Sequence, residues 1–200
     1  PTDTIAAILG TYPFSIGLFR ELIQNSDDAK ASKQIFVLDS RKHSTRTLYH
    51  DKLAGTQGPS LLAYNDALFT QEDWEALQTI HRSSKKTDNT KIGKYGIGFR
   101  SCYHITDHPQ ILSGTSLAIL DPHHHFSDSG GTKLNFVKLG DSCADHLSCF
   151  DFFLPSSTTP TAFSGSVIRL PLRTLQSESS ISNKVVTSEE IRTLFHDFIE

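Results

Sequence analysis

Three polar residues near the start of the chain have types and spacing that could bind magnesium and a nucleotide. Glu21, Asn25 and Asp28 lie four and then three positions apart in the stretch RELIQNSDDA. In a helix, residues at these spacings share one face, while apolar residues such as Leu22 fall on other faces. Carboxylate and amide oxygens suit Mg²⁺, and a carboxylate can activate a water molecule. The pattern therefore predicts a helix face for Mg²⁺, water and a nucleotide.

A glycine cluster further along the chain offers a second element of such a site. Gly93, Gly96 and Gly98 allow a sharp turn or a close approach of the backbone to a ligand. A helix is predicted to begin after them, and the free N–H groups at a helix start attract phosphate. The spacing fits neither a P-loop nor a dinucleotide-binding turn. The preceding residues, 81–90, are polar and cationic, which suits either a lid over a ligand or a solvated loop.

Two other groups of residues could do chemistry but have simpler interpretations. His123 to His125 could bind zinc, yet no second Cys or His pair lies at ligand spacing, so a solvated loop is favoured. Cys102 follows the glycine cluster, where a helix start would favour a thiolate. A cysteine inside such a helix is more often a small core residue, and we expect that role here.

The elements that position these residues can be predicted from hydrophobic periodicity and turn residues. Apolar runs predict strands and amphipathic stretches predict helices. The predicted helices cover residues 4–9, 15–31, 71–80, the stretch from Gly98 to His104, and 188–200. The predicted strands cover residues 34–39, 47–49, 60–65, 111–112, 117–120, 150–154 and 165–172. Strands with helices between them predict an α+β, two-layer sandwich with helices on one face of a mixed β-sheet.

Composition limits the class of protein. Two hundred residues with 37% hydrophobic content suffice for one domain, spanning 1–200. A net charge of −3 gives no electrostatic footprint for nucleic acid or for an anionic membrane. No apolar run approaches the roughly 20 residues of a spanning helix, and the start lacks a signal-peptide pattern. Three cysteines without a C-x-x-C pair favour a reducing, cytoplasmic compartment. Because methionine is absent, we expect a segment of a longer polypeptide.

Four stretches in order carry a family resemblance that covers nearly the whole chain: RELIQNSDDA, LLAYNDALFT, KIGKYGIGFRSCYHITD and FSGSVIRLPLR. They resemble the ATP-binding domain shared by gyrase, the ninety-kilodalton heat-shock chaperone, histidine kinases and mismatch-repair ATPases. YNDALFT, GKYGIGFRSCYHITD and LDPH are most similar to the sacsin-like branch. The resemblance implies a left-handed βαβ (Bergerat) sandwich with ATP and Mg²⁺ as cofactors. It also implies a lid at about residues 81–98 and further domains in the same polypeptide.

The resemblance gives the first helix separate roles. Glu21 matches the glutamate that polarises the attacking water in family members that hydrolyse ATP, and a surface ion pair is the simpler alternative. Asn25 matches the ligand of Mg²⁺. Asp28 and Ala29 match the end of that helix, close to the nucleotide.

The second motif departs from the pattern of the superfamily. Chaperone and gyrase domains have Asp-x-Gly-x-Gly where this chain has Asn65-Asp66-Ala67. The resemblance places Asn65 at the position of the aspartate that binds the adenine amino group, with Asp66 as a competing candidate. An asparagine oxygen can still accept a hydrogen bond from that amino group.

The remaining implied contacts belong to the third and fourth motifs. The lid hinge and the phosphate-contacting turn match Gly93, Gly96, Ile97, Gly98 and Phe99. Lys85 in the lid could neutralise phosphate, although exposed lysines usually have no specific role. Ser166 matches the hydroxyl that supports adenine recognition, and a strand hydroxyl facing solvent is the simpler alternative.

Two functional hypotheses follow from these residues. In the first, a sacsin-like chaperone module binds ATP, hydrolyses it slowly to ADP and changes conformation as the lid closes. Client or co-chaperone proteins would then be partners. In the second, the altered Asn65-Asp66-Ala67 motif indicates a non-catalytic scaffold that binds nucleotide or protein. A histidine-kinase role would require an upstream phospho-accepting histidine, which this chain lacks, and the net charge disfavours nucleic acid.

Overall fold

The computed structural model describes residues 2–82, 98–154, 162–175 and 177–200. The strands within these ranges are β1 (Gln34–Asp39), β2 (Ser60–Asn65), β3 (Gln110–Gly114), β4 (Ser116–Leu120), β5 (Gly131–Asn135) and β6 (Phe163–Pro171). The α-helices are α1 (Thr2–Thr11), α2 (Gly17–Asp28), α3 (Gln71–Arg82), α4 (Phe136–Leu139), α5 (Ala144–Ser148) and α6 (Ser188–Ile199). Short 3₁₀ helices cover Asp51–Gln57, Phe99–His104 and Gly140–Cys143.

The strands form one sheet in the order β1-β2-β6-β3-β4-β5. Every pair of neighbours is antiparallel, so the α+β class is confirmed while the mixed sheet is corrected. The reason lies in the connection through α3. It joins β2 to β3, which point in the same direction, but β6 lies between them and runs opposite to both. Neighbouring strands joined by such a crossover would form a parallel pair. Because β6 lies between β2 and β3, they are not hydrogen-bonded to each other, and the sheet contains no parallel pair among the described strands.

One face of the sheet packs against the longer helices. Strand side chains alternate between faces, so Leu61, Ile111 and Ile168 join this core while their neighbours point away. The helices contribute a buried set of apolar residues: Leu18, Phe19, Leu22, Trp74, Leu77 and Ile191. Amphipathic spacing in α2, α3 and α6 therefore accounts for this layer, as expected from the sequence.

The opposite face is covered as well, which modifies the expectation of helices on one face only. Leu62, Leu112 and Val167 pack there against the 3₁₀ helix Asp51–Gln57 and against the short helical segments that follow β5. Phe150, expected in a strand over 150–154, instead lies fully buried in a turn closed by the hydrogen bond from Leu154 N–H to Phe150 O. That strand prediction is wrong because the segment makes local bonds.

The expected strand at 47–49 is also absent, and the reason is a carboxylate. The N–H groups of Arg46 and Thr47 donate to Asp145 Oδ2 at 2.6 and 2.8 Å, so a side chain takes the place of a strand partner. Tyr49 N–H donates to Nε2 of the neighbouring His146 at 3.0 Å. Within the described ranges, no helix is long and apolar enough to cross a membrane.

Two basic groups are buried under the second face. Arg169 in β6 is fully buried and donates to Gln110 Oε1 and Gly58 O, both at 3.1 Å. Burial is the largest cause that lowers the pKa of His146 to about 4, and the nearby charge of Arg169 adds to it against the opposing effect of Asp145. His146 is therefore neutral in the folded chain well below the pH at which it protonates when unfolded.

This histidine should make the fold acid-sensitive. Its unfolded pKa of 6.5 exceeds the folded value of about 4, so unfolded chains bind more protons between these pH values and stability is lost as the pH falls. We expect protonation of His146 in the unfolded chain to lower the free energy of unfolding by about 2 kcal/mol between pH ~7 and ~5. Urea unfolding of wild type and His146→Gln, which keeps an acceptor for Tyr49, measures this. An equally steep pH dependence in the variant would contradict it.

Candidate functional site

The polar face of α2 lies partly at the protein surface. Its apolar face, with Leu18 and Leu22, packs into the first core. On the other side, Glu21 is half-buried, Asn25 is buried and Asp28 is exposed at the helix end. Helical spacing therefore places the three side chains along one side as expected, but at very different depths.

Gly98 lies directly against Glu21. A Cβ atom added to Gly98 would be 1.8 Å from Glu21 Oε2, so no larger residue fits without moving that carboxylate. The following residue, Phe99, is buried in the first core and begins the 3₁₀ helix that matches the predicted helix to His104. Among the described residues, Glu21 forms no ion pair, in contrast to the simpler alternative considered for it.

A cavity of about 340 Å³ opens beside this contact. Glu21 and Gly98 line it together with Ser101 and residues of α1 and the start of α2. Ser101 Oγ and Nε of the adjacent Arg100 are buried, and neither has a hydrogen-bond partner among the described residues. Unsatisfied buried polar atoms are uncommon in folded proteins, and a bound polar ligand is one way to satisfy them.

Asn25 presents another unsatisfied atom one helix turn further on. Its amide nitrogen Nδ2 is buried and has no partner in the part of the chain that the structure describes. The next residue, Ser26, accepts a hydrogen bond from Asn65 Nδ2 at 3.0 Å, and Asn65 Oδ1 accepts from Ala67 N–H at 3.0 Å. The end of α2 and the end of β2 are thus joined through side-chain amides and hydroxyls on the helix-bearing face.

Ser166 continues this polar group across the sheet. It pairs with Asn65 on one side and with Ser113 on the other. Its hydroxyl donates to Ala67 O at 2.7 Å and lies 2.9 Å from Ser113 Oγ, so it is buried rather than facing solvent. Gly165 before it has φ +117°, and an added Cβ would meet Asn65 O at 2.5 Å, so this strand position needs glycine.

Of the expected site residues that the structure describes, Glu21 and Gly98 line the cavity and the others do not. Asp66 is anchored elsewhere: its carboxylate accepts from Ser32 N–H at 2.8 Å, from Lys33 N–H at 3.0 Å and from the Ser32 hydroxyl. The Ser32 hydroxyl bond is the main cause that lowers the pKa of Asp66. Ala29 ends α2 and donates its N–H to Asn25 O at 3.1 Å. Asp66 therefore fastens the α2–β1 turn to the end of β2, away from the cavity.

The described residues do not include every candidate. Lys85, Gly93, Gly96 and Ile97 lie outside them, as does most of the predicted lid at about 81–98. Ser113 is a site residue that the sequence did not suggest, because a serine in a short strand carries no signal of its own. Cys102 is a buried residue of the first core. Because it is buried, the pKa of its thiol is raised to about 12 and the thiol stays protonated.

The chemistry available here is that of a carboxylate beside a side-chain-free backbone. Glu21 can accept a proton, and the absence of a side chain at Gly98 leaves room for the Glu21 carboxylate at the cavity wall. Asn25 can give an amide oxygen to Mg²⁺ while its unpartnered nitrogen donates to a ligand oxygen. The residues present thus fit a hydrated metal and a phosphate group, judged by the orphaned Asn25 amide and by the Glu21 carboxylate in the cavity lining.

Comparison with known proteins gives the family. A family model described as "Sacsin domain" matches residues 1–200. Human sacsin is 38% identical over 209 aligned residues, which cover 98% of this chain and 4% of sacsin. The Arabidopsis thaliana protein named NO VEIN is 32% identical over 93 residues, covering 46% of this chain and 3% of that protein. The chain thus spans a small fraction of the length of these relatives. Because the family model matches the whole chain, the chain belongs to the sacsin domain family.

Proposed function

We propose that this chain is a Mg²⁺-dependent ATP-binding module that hydrolyses ATP slowly within a larger, chaperone-like polypeptide. The observation that carries the proposal is the contact of Glu21 with Gly98. A Cβ atom added to Gly98 would lie only 1.8 Å from Glu21 Oε2. This contact joins a carboxylate on a helix to the last glycine of a distant cluster, at the wall of a cavity. The choice of ATP as the nucleotide and the chaperone-like context both rest on the resemblance to the ATP-binding superfamily.

Each side chain has a distinct role in this proposal. Glu21 orients a water molecule and accepts its proton as the water attacks the terminal phosphate. Asn25 would hold Mg²⁺ through its amide oxygen. The metal, when bound, supplies charge neutralisation to the phosphates. Gly98 has no side chain, so the Glu21 carboxylate can lie against its backbone at the wall of the cavity.

The proposed contacts to adenine come from polar side chains at the end of β2 and in β6. Asn65 and Ser166 face the helix-bearing side from neighbouring positions, supported by Ser26 and Ser113. An asparagine amide can use its second donor and second lone pair for a base while keeping these bonds. Closure of a lid at about 81–98 and its coupling to client proteins or co-chaperones rest on the resemblance alone.

A non-catalytic scaffold is the second candidate, and one observation favours it. Neither polar residue of the altered motif offers a free carboxylate to adenine. Asn65 carries an amide, which already bonds to Ser26 and Ala67, and the carboxylate of Asp66 accepts hydrogen bonds from Ser32 and Lys33. Calorimetric titration with ATP, ADP and GTP, with and without Mg²⁺, tests whether the chain binds nucleotide, and the turnover of Glu21→Ala separates a catalytic module from a scaffold that only binds it. Tighter binding of ATP in the presence of Mg²⁺ supports the first, and no binding of any nucleotide supports a protein scaffold.

Replacing the carboxylate should separate binding from hydrolysis. In Glu21→Ala, we expect ATP turnover to fall by at least about 100-fold because the water loses its base. The dissociation constant for ATP should change by less than about threefold, since Glu21 acts on the water rather than on the nucleotide. Asp27→Ala, on the same helix but exposed, is the matched control and should turn over normally. Equal turnover in Glu21→Ala and wild type would refute the assigned role.

A single methyl group at Gly98 tests the geometry of the contact. Gly98 has φ −59° and ψ −48°, which alanine adopts readily, and the obstructing atom is the mobile end of Glu21. Gly98→Ala should therefore change the free energy of unfolding by less than about 1 kcal/mol. Turnover should nevertheless fall about tenfold or more, because the carboxylate is displaced.

The control for this substitution is Gly55→Ala. An added Cβ at Gly55 meets no atom within 4 Å, so both stability and turnover should stay near wild type. Urea unfolding and steady-state ATP turnover measure the two effects. A Gly98→Ala variant that is folded and as active as wild type would show that the position of Glu21 has no effect on hydrolysis.

A further inference from the structure

His108, Asp121 and His125 form a cluster, and none of the three lines the Glu21 cavity. Each residue offers one ligand atom, and these three atoms lie within 4.8 Å of one another. Antiparallel pairing of β3 and β4 brings the three residues together. Gln110 of β3 pairs with Ile119 of β4, so the residues just before β3 lie beside those just after β4. His108 Nδ1 is 3.0 Å from Leu120 O and 3.9 Å from Asp121 Oδ1.

Asp121 organises the loop that carries the second histidine. Its carboxylate accepts from the N–H groups of His125, Phe126 and Ser127 at 3.0, 2.7 and 2.9 Å. His124 has φ +57° and is exposed, so the chain turns at this residue. As a result, the rings of His123 and His125 stack with centroids 5.0 Å apart, and both lie near the ring of His108.

The electrostatics of the cluster favour a cation. Asp121 is fully buried, and within the described part of the chain no Lys or Arg lies at ion-pair distance from it. Buried carboxylates are usually paired with a cation or bound to a metal. His108 donates its Nδ1–H to Leu120 O at 3.0 Å, which leaves the lone pair of Nε2 for coordination. Nδ1 of the neighbouring His123 is also buried, and no described residue lies at hydrogen-bond distance from it.

We propose that His108, Asp121 and His125 bind a divalent transition metal ion of the zinc type. Two imidazoles and a carboxylate are ligands that suit zinc, and three protein ligands leave a fourth position open. Tetrahedral ligands at the usual zinc distances lie roughly 3.4 Å apart, so small side-chain rotations would close the cluster around the ion. The backbone bonds of Asp121 fix the carboxylate, as outer contacts do in many metal sites.

The open position would face a cavity of about 320 Å³. His108 and His125 line this cavity together with Lys52 and Arg173. An ion held here would therefore be reached from solvent and could take a water molecule as its fourth ligand. The site is separate from the proposed nucleotide site, and neither proposal depends on the other.

The test is a calorimetric titration of the 200-residue chain with ZnCl₂ in the absence of nucleotide. We expect one site whose affinity falls at least about tenfold in His125→Ala and in Asp121→Asn. His124→Asn, in the same histidine run but exposed, and His196→Gln on α6 are the controls and should bind like wild type. Zinc binding that is absent in wild type, or equal in wild type and His125→Ala, would overturn the proposal.

A second measurement needs no variant and so does not depend on the folding of the mutants. Diethylpyrocarbonate modifies accessible histidines, and mass spectrometry reports each site in the wild-type chain with and without Zn²⁺. We expect zinc to slow the modification of His125 and His108 while leaving His124 and His196 unchanged. Equal protection of all four, or protection of none, would rule out a specific site at the cluster.

Discussion

The strand β6 is hydrogen-bonded along both edges, to β2 on one side and to β3 on the other, and this pairing holds the molecule together. It joins the β1–β2 hairpin to the β3–β4–β5 meander, so neither core is complete without it. On one face β6 carries Ser166 into the candidate site, and on the other it carries the buried Arg169. A single strand therefore fixes the positions of groups in both layers.

Much of the layer next to α2 could be predicted from the sequence, because helical periodicity is a local property. The spacing of Glu21, Asn25 and Asp28 gives a common helix face, and the apolar runs give β1, β2, β4 and β6. The opposite layer could not be predicted. Asp145 replaces a strand neighbour of Thr47 through its side chain, and Phe150 is buried in a turn, which no local pattern reveals.

The same distinction applies to the two sites. Glu21 meets Gly98 only through the packing of a 3₁₀ helix on α2, so spacing could suggest each residue but not their contact. His108 stands far from His125 in sequence and joins it through the β3–β4 hairpin. A search for paired ligands at fixed spacing misses such a cluster, because strand pairing rather than sequence distance sets the geometry.

The place of β6 in the chain has a consequence for biosynthesis. It is made after the other strands of the sheet that the structure describes, yet it fills the gap between β2 and β3. While the ribosome is still making residues 163–171, β2 and β3 each keep an unpaired edge of N–H and C=O groups. Such edges invite pairing with other chains. The nascent chain therefore passes through a stage in which its central sheet is open, and protection by cellular chaperones would matter most then.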